Sequence, residues 1–520
     1  MVIDGRAVGT DFVVESAYCV VGSGMGGAAV AYTLARAGQD VLLVEAGNVN
    51  GLPPERHDSV TAEITGRPFG IPVTRSISLG GTSNLWHGNS NPLEEIDFEP
   101  RPWLGLAGWP IRRKDLDPFY DRAAQMLGHE ECAGLRPEAL SASARRAMKA
   151  IDFDSSILQQ KLMEYRKPPH LWQKKLLELA KAGQLRCLLN TCALELISNE
   201  EGNRIIALKA GAGGKIFRIK AQRFILCAGA LETPRLLLNS RSRSPEGIGN
   251  DHDMVGRFLM DHPTGPFSML RFRFPLRAPA YSTLSLPGGF RHLRVSLTLR
   301  PEHQAAAAVP NHYFMIRPCI AGQHIRADLR LSFIGTRGLR DLSVGQIAGI
   351  FGSPNLLYRI LVARCRLPAI YRYGELFFMT EQLPNSDSRT RLSPKVRDRF
   401  GYPVASVHWQ LHSRDFTSFE TFTRLAFDKG LRSRQHRIEA VDRIEDWTKH
   451  LTSAAHHLGT ARMSDSPSGG VVDAQLQVFG VNNLYVCDGS VFHTAGSANP
   501  SLTITALGIR LANHLMEKRV

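Results

Sequence analysis

The sequence predicts an α/β protein with a Rossmann-like domain and a second domain built on an antiparallel sheet. Three observations support this prediction. The pattern of the first 45 residues predicts a strand, a glycine turn, a helix and a second strand. Residues 266–335 contain strand-like alternation, as in SMLRFRF and RVSLTLR. Residues 484–520 return to an apolar strand followed by a long helix, so the first domain is expected to be discontinuous along the chain.

The opening unit has the glycine spacing of a phosphate-binding turn. An apolar run over 17–21 is followed by the segment GSGMGG and then by a helical segment that ends at Gly38. In the pattern GxGxxG, Gly22 permits a tight turn, Gly24 lets the backbone approach a pyrophosphate, and Gly27 lets the helix pack closely on the strand. Ser23 lies inside this turn, and the turn predicts a dinucleotide site.

The second strand of this unit, residues 41–44, ends at Glu45. A carboxylate at this position can accept hydrogen bonds from a ribose diol. The glycine pattern does not distinguish FAD from NAD, and both cofactors stay open on these residues.

Residues 184–240 resemble further strands of the same domain, and the segment TPRLLLNS predicts a helix with Pro234 near its first position. We therefore expect one cofactor-binding domain in three pieces and one substrate-binding domain in two. The cofactor-binding domain is assigned to 1–100, 184–265 and 450–520, and the substrate-binding domain to 101–183 and 266–449.

Composition is typical of a globular protein with a full core, since 43% of the residues are hydrophobic and 21% are charged. The 8 cysteines form no CxxC pair, so we expect no metal site and a reducing compartment. We identify no secretion signal and expect a cytoplasmic protein. The net charge of +15 is accompanied by no zinc finger or basic heptad, so we expect no nucleic-acid partner.

Residues 343–372 are apolar with interspersed arginines. The favoured interpretation is a pair of core-facing helices around Pro354. The alternative is a basic amphipathic surface that makes weak contact with a membrane or an electron-accepting partner.

Two other segments carry candidate site residues. Adjacent glycines at Gly80 and Gly81 begin a run of small polar residues, which suits either a backbone wrapped on a ligand or an ordinary surface turn. Near the C-terminus, His456 and His457 are candidate general bases, because imidazole takes up a proton near neutral pH.

Asn499 and Pro500 are predicted as the N-cap and the first residue of the last helix. The positive N-terminal end of that helix would stabilise a reduced flavin, which carries negative charge.

Six segments in order, VVGSGMGG, GGTSNLWHGN, CAGALETPRLLLNS, VGRFLMDHP, HHLGTARM and GSANPSLTITALGIRLANHL, together resemble the glucose–methanol–choline (GMC) oxidoreductase family. The resemblance spans nearly the whole chain and is weakest between about 266 and 440. It implies a Rossmann-like FAD-binding domain and a substrate domain with an antiparallel sheet.

The resemblance also implies roles for individual residues. His456 and Asn499 match the family's catalytic pair, because the base lies four residues before the Thr of the GT pair; His457 is the rival base. Non-covalent FAD is expected, because Leu85 stands where some relatives have a histidine joined to the flavin. The residues expected to contact FAD are Gly22, Ser23, Gly24, Gly27, Glu45, Gly80, Gly81, Thr82, Trp86, His87, Gly88, Asn89, Ala193, Asp488, Gly489, Asn499 and Pro500.

The implied activity is oxidation of an alcohol by hydride transfer to flavin N5, with His456 taking the hydroxyl proton. The segments GGTSNLW and GWPIRRKDLDPFYDRA look most like those of bacterial enzymes that act on sugars and polyols. A sugar, amino sugar, cyclitol or sugar-derived natural product is therefore the expected substrate. A sterol or lipid alcohol and an NAD-linked dehydrogenase are the alternatives, and the electron acceptor, oxygen or a quinone-like carrier, stays open.

Overall fold

The computed structural model describes residues 1–10, 12–51, 61–67, 74–86, 88–129, 132–135, 153–165, 170–277, 284–285, 292–326, 329, 343–365, 367, 369–431 and 438–518. Its α-helices are α1 Met25–Arg36, α2 Glu95–Phe98, α3 Asp117–Met126, α4 Leu171–Lys181, α5 Gly229–Asn239, α6 Pro301–Ala306, α7 Val344–Phe351, α8 Pro354–Cys365, α9 Ser413–Arg424 and α10 Ser501–Glu517.

The first sheet is Rossmann-like, as predicted. Its strands lie in the order β1-β7-β3-β2-β10-β9-β8, and β20 pairs with β10. The pairs that involve β1, β2, β3, β7 and β20 are parallel, whereas β8, β9 and the first part of β10 form an antiparallel meander. These strands are β1 Val2–Asp4, β2 Val13–Val21, β3 Val41–Val44, β7 Arg186–Leu189, β8 Cys192–Ser198, β9 Ile205–Ala212, β10 Lys215–Leu226 and β20 Leu484–Val486.

The second sheet is antiparallel, as predicted, with the order β18-β11-β15-β14-β13-β6-β5; β12 pairs with β13, and β19 pairs with β11. Its strands are β5 Asn89–Ser90, β6 Leu158–Tyr165, β11 Pro263–Arg277, β12 Leu284–Ser285, β13 His292–Leu299, β14 Tyr313–Cys319, β15 Ile370–Met379, β18 Ile438–Arg443 and β19 Thr452–Ser453. A small third sheet consists of β16 Arg389–Arg397, β17 Pro403–His408 and β4 Ala62–Ile64. The division into five domain segments stays a prediction.

Helix α1 connects β2 to β3 and packs against the last helix, α10. A Cβ atom on Gly26 would lie 1.9 Å from the carbonyl oxygen of Cys487, and one on Gly508 would lie 2.9 Å from the Cβ of Ala29. Both contacts are too short for any larger side chain. Glycine at these two positions therefore lets the two ends of the chain meet over one face of the sheet.

Helix α5 begins at Gly229, five residues before Pro234, so the prediction that Pro234 lies near its first position is wrong. Proline inside a helix has no N–H to donate to the carbonyl four residues earlier. That carbonyl, on Ala230, accepts a hydrogen bond of 2.7 Å from the hydroxyl of Thr460 instead. A distant threonine thus replaces the missing backbone bond, which a local sequence pattern does not reveal.

Within residues 343–372, Val344–Phe351 and Pro354–Cys365 form the predicted pair of helices, α7 and α8, around Pro354. One face is buried, where Ile350 and Leu356 join an apolar cluster. The other face is exposed and apolar, with Val344 85% and Phe351 72% exposed. Within the described residues, no helix combines the length and the apolar character that are needed to span a bilayer.

Candidate active site

One cleft brings together most of the residues that the sequence predicts for the site. It begins at the glycine turn after β2 and extends to the loops that follow β19 and precede α10. The predicted residues that line it are Gly22, Ser23, Gly24, Glu45, Gly81, Thr82, Trp86, Gly88, Asn89, Ala193, His456, Asp488, Gly489, Asn499 and Pro500. Gly27 and Gly80 lie behind this lining, and His87 lies outside the described residues.

Glycine occupies the three positions of the turn for different structural reasons. Gly22 has a φ of +95°, which only glycine adopts readily, and a Cβ on Gly27 would lie 1.9 Å from the carbonyl oxygen of Gly22. A Cβ on Gly24, by contrast, would meet no protein atom within 4 Å. Packing therefore requires glycine at 22 and 27, whereas at 24 the space for a side chain belongs to the cleft.

Glu45 holds the turn in place. One carboxylate oxygen accepts hydrogen bonds from the backbone N–H (3.0 Å) and the hydroxyl (2.5 Å) of Ser23, and the other accepts from the N–H of Gly47 (2.9 Å). The Ser23 hydroxyl oxygen also accepts from the N–H of Gly80 at 2.9 Å. Gly80 therefore joins the second glycine segment to the first instead of facing the cleft, and a contact between Glu45 and a ribose stays a prediction.

Asp488 ties the end of β20 to the start of α5. One of its oxygens accepts from the N–H of Gly229 at 2.8 Å and from the hydroxyl of Thr233 at 2.7 Å; the other accepts from the N–H of Ser490 at 2.7 Å. A carboxylate at a helix N-terminus satisfies free N–H groups and complements the helix dipole. Asp488 thus fixes where α5 meets the cleft.

An ion-pair chain on the wall of the cleft was not predicted from the sequence. Arg75 contacts Glu232 at 2.8 Å, Glu232 contacts Arg235 at 3.1 Å, and Arg235 contacts Asp398 at 2.6 Å. Burial alone would raise the pKa of Glu232, but the charges of Arg235 and Arg75 lower it below its ordinary value. This wall is therefore charged and hydrogen-bonded. Glu232 and Arg235 lie three residues apart on α5, but Arg75 and Asp398 are too distant along the chain for local patterns to indicate the rest of the ion-pair chain.

Three further side chains in and behind the cleft wall form a hydrogen-bonded row. The Nε2 of His456 lies 3.3 Å from the amide nitrogen of Asn499, and its Nδ1 lies 3.1 Å from the Nδ1 of His262. The Nε2 of His262 lies 2.9 Å from the carbonyl oxygen of Gly496. The structure thus brings the predicted pair, His456 and Asn499, into contact.

The predicted capping role of Asn499 is wrong by one position. Helix α10 begins at Ser501, Pro500 stands at its cap position, and no side chain caps it. The Asn499 side chain turns to His456 instead. A side chain that is not used for capping is available for the cleft.

Asp261 anchors the loop that carries His456. Its Oδ1 accepts from the backbone N–H groups of His262 (2.6 Å), Ala454 (3.1 Å) and His456 (3.2 Å), and its Oδ2 accepts from the hydroxyl of Ser453 (2.5 Å). Burial raises the pKa of this carboxyl to about 6, against the effect of these hydrogen bonds. Asp261 and His262 lie in the segment VGRFLMDHP, and no role was predicted for either residue. An acid–histidine pair after an apolar run was the available signal.

The two adjacent histidines of the cleft differ in environment. Burial and the nearby charge of Arg75 lower the pKa of His457 to about 3, so His457 is a weak base. His456, in contrast, contacts the amide of Asn499. Both observations favour His456 over His457 as a proton acceptor.

The cleft residues fit an extended dinucleotide. Three residues that line it carry a buried polar atom, Thr74 Oγ1, Asn89 Oδ1 and Asn499 Oδ1, that has no hydrogen-bond partner among the described residues. An unsatisfied buried polar atom costs about 1–3 kcal/mol, so these atoms indicate that a polar ligand completes the site. The open space at Gly24, beside the N-terminus of α1, suits a phosphate.

Comparisons with known proteins agree with this geometry. Residues 17–245 match the family described as FAD dependent oxidoreductase, and residues 384–508 match the family described as GMC oxidoreductase. The 2-methyl-1,2-propanediol dehydrogenase of Mycolicibacterium austroafricanum is 23% identical over 96% of this chain and 95% of that protein. The 6'''-hydroxyparomomycin C oxidase of Streptomyces lividus is 24% identical over 96% and 92%. The crystal structure of pyridoxine 4-oxidase from Mesorbium loti, 17% identical, shares the fold with a TM-score of 0.60 over 97% of this chain and 100% of that chain.

Proposed function

The chain belongs to the GMC oxidoreductase family and is an FAD-dependent oxidoreductase that acts on CH–OH groups, and from this premise we propose that His456 is its general base. The cofactor is FAD, so the alternative of an NAD-linked dehydrogenase is wrong. The observation that supports the assignment of His456 is its contact with Asn499 in the cleft that the glycine turn also lines.

Bound FAD supplies the acceptor for the hydride that leaves the carbinol carbon. The Nε2 of His456 takes the hydroxyl proton, and the Asn499 amide beside it hydrogen-bonds the substrate oxygen as negative charge develops there. The N-terminus of α10, which begins two residues after Asn499, adds a positive dipole end at the same place.

Residues along the cleft would hold the cofactor in one orientation. Gly24 and the N-terminus of α1 would receive the diphosphate, and Glu45 and Ala193 would lie on the ribose and adenine side. Asp488 and Gly489 would lie near the ribityl chain. The orphaned oxygens of Asn89 and Asn499 suit polar edges of the ring system, and non-covalent attachment is expected.

The proposed substrate is a small polar alcohol: a sugar, amino sugar, cyclitol or sugar-derived natural product. The support comes from relatives that match nearly the whole chain and whose names specify a propanediol and a hydroxyparomomycin.

A sterol, lipid or other apolar alcohol is the second candidate, because Ala454 in the cleft packs on an apolar cluster. That cluster consists of Met163, Tyr313, Met315, Phe377 and Met379.

Weak contact with a membrane surface through residues 343–372 is a further proposal. The exposed apolar face of α7 and α8 supports it, as does the net charge of +15. Arg359, one of the basic residues of this segment, is paired with Glu375 at 3.1 Å and is therefore not available to lipid headgroups. The electron acceptor, oxygen or a quinone-like carrier, stays open.

The test of the function is anaerobic reduction of the flavin by a panel of polyols, amino sugars, cyclitols and sterols. We expect bleaching by polar alcohols and about 10²- to 10⁴-fold slower reduction in His456→Ala, with FAD still bound, because a positioned general base contributes about that factor. His457→Ala is the matched control and should stay within about tenfold of the wild type. If flavin reduction is strongly slowed in His457→Ala and nearly normal in His456→Ala, the base is His457 and the assignment of His456 is wrong.

A further inference from the structure

His262 lies directly behind His456 and is fully buried. The two imidazole rings meet edge to face, at 84° and 5.0 Å between centroids. Only nitrogen atoms face each other across this contact, Nδ1 to Nδ1 at 3.1 Å. One of these nitrogens must therefore carry the hydrogen and the other the lone pair.

The other side of His262 decides which nitrogen carries the hydrogen. Its Nε2 faces the carbonyl oxygen of Gly496 at 2.9 Å, and a carbonyl only accepts, so Nε2 holds a hydrogen. Burial lowers the pKa of His262 to about 4, so the ring is neutral near pH 7 and its Nδ1 holds the lone pair. The Nδ1 of His456 must then be the donor.

We propose that His262 is a positioning residue that fixes His456 in the Nδ1–H tautomer and so presents the Nε2 lone pair to the substrate. This inference rests on the proposed role of His456 as the base. The opposite tautomer would set two lone pairs 3.1 Å apart. The amide nitrogen of Asn499, 3.3 Å from Nε2, independently fits an Nε2 that accepts.

The element that orients His262 is itself rigidly held. The N–H of Gly496 donates to Glu381 at 3.2 Å, and Glu381 forms a two-pronged ion pair with Arg101 at 2.5 and 2.6 Å. Lys161 bonds the hydroxyl of Ser497 in the same loop. The carbonyl that sets the tautomer of His262 is therefore fixed by a buried charge network.

Charged groups lie close to His262. Glu381 and Lys161 act on it through their charges, and the Asp261 carboxylate accepts its backbone N–H.

Two substitutions separate the two hydrogen bonds of His262. In His262→Asn the amide oxygen falls near the former Nδ1 and can still accept from His456, but the bond to Gly496 is lost. In His262→Gln the longer amide can still donate to Gly496, but the acceptor for His456 is lost. If His262 only supports the structure through its bond to Gly496, His262→Gln should impair the enzyme less than His262→Asn. If His262 fixes the tautomer of His456, His262→Asn should impair it less than His262→Gln.

The direct readout is ¹⁵N–¹H correlation NMR of the FAD-bound protein with labelled histidines, in which His456→Ala identifies the His456 signals. The wild type and His262→Asn should show His456 as Nδ1–H, and His262→Gln should show a mixture of tautomers. Flavin reduction should slow about 5- to 30-fold in His262→Gln, the factor that one lost hydrogen bond is worth, and less than about threefold in His262→Asn. The pH–rate profile of His262→Gln should also move to lower pH, because protonated His456 loses its acceptor.

The outcomes distinguish this inference from the assignment of the base. A wild-type signal for His456 as Nε2–H would overturn the inference without any variant, even if His262→Gln does not fold. Equal tautomer populations in the two variants would overturn it too. Normal reduction by His456→Ala would instead refute the proposed base and leave the NMR result standing.

Discussion

Gly24→Ala separates cofactor binding from folding. The φ of Gly24 is −64°, which alanine adopts, and the added methyl group would meet no protein atom within 4 Å. The unfolding free energy of FAD-free protein should therefore change by no more than about 0.5 kcal/mol. The methyl group would stand where a phosphate approaches the N-terminus of α1. Loss of one charge-assisted N–H···O bond costs about 1.5–3 kcal/mol, which corresponds to about 10- to 150-fold weaker FAD binding.

Gly27→Ala is the control with the opposite expectation. Its Cβ would lie 1.9 Å from the backbone oxygen of Gly22, so helix α1 must shift away from the turn. Forcing an atom into a packed site costs about 1–3 kcal/mol, and this loss should be visible without cofactor. Urea unfolding of FAD-free protein and titration with FAD, followed by flavin fluorescence, measure the two effects. If Gly24→Ala binds FAD as tightly as the wild type, or unfolds as easily as Gly27→Ala, the location of the diphosphate is wrong.

Two further predictions concern acid stability and the exposed helices. Burial lowers the pKa of His312 to about 3, so the folded protein keeps it neutral while the unfolded chain takes up a proton below about pH 6.5. Its contribution to stability is present above that pH and is lost as the pH falls. His312→Asn should therefore reduce the loss of unfolding free energy between pH 7 and about pH 4.5 by about 2–3 kcal/mol, as measured by urea unfolding at the two pH values. In sedimentation with anionic vesicles, Phe351→Ser should weaken any binding of the chain. The control Ile206→Ser, at a residue of β9 that is 50% exposed, should leave the binding unchanged. If both variants have the same effect, α7 does not form the membrane contact.

The parts of the site that the sequence predicts are those whose cause is local. The turn from Gly22 to Gly27 is readable because a strand, a tight turn and a close helix each constrain residues next to one another. The antiparallel sheet is readable because alternation follows the pleat of each strand. The helices around Pro354 are also predicted from a local pattern, an apolar run interrupted by one proline.

The parts that the sequence does not predict have long-range causes. Pro234 is tolerated inside α5 because the hydroxyl of Thr460 satisfies the carbonyl that the proline leaves free. Asn499 precedes the cap position, and the partner of its side chain, His456, is 43 residues away. Arg75 reaches Glu232 across 157 residues. Periodicity and capping rules carry no information on such pairs, because the partners are chosen by the tertiary fold.

The two ends of the cleft are consequently held by different kinds of contact. A substitution that disturbs one end should leave the geometry of the other unchanged. The end at the glycine turn depends on backbone geometry within one strand–turn–helix unit. The end at His456 depends on two connections. Asp261, just before β11, binds the loop after β19 that carries His456. The carbonyl of Gly496, in the segment before α10, binds His262. Substitutions at the first end should change how much FAD is bound and leave the imidazole row intact. Substitutions at the second should change proton transfer in protein that still binds FAD, because the described hydrogen bonds of His456 run to Asp261, His262 and Asn499.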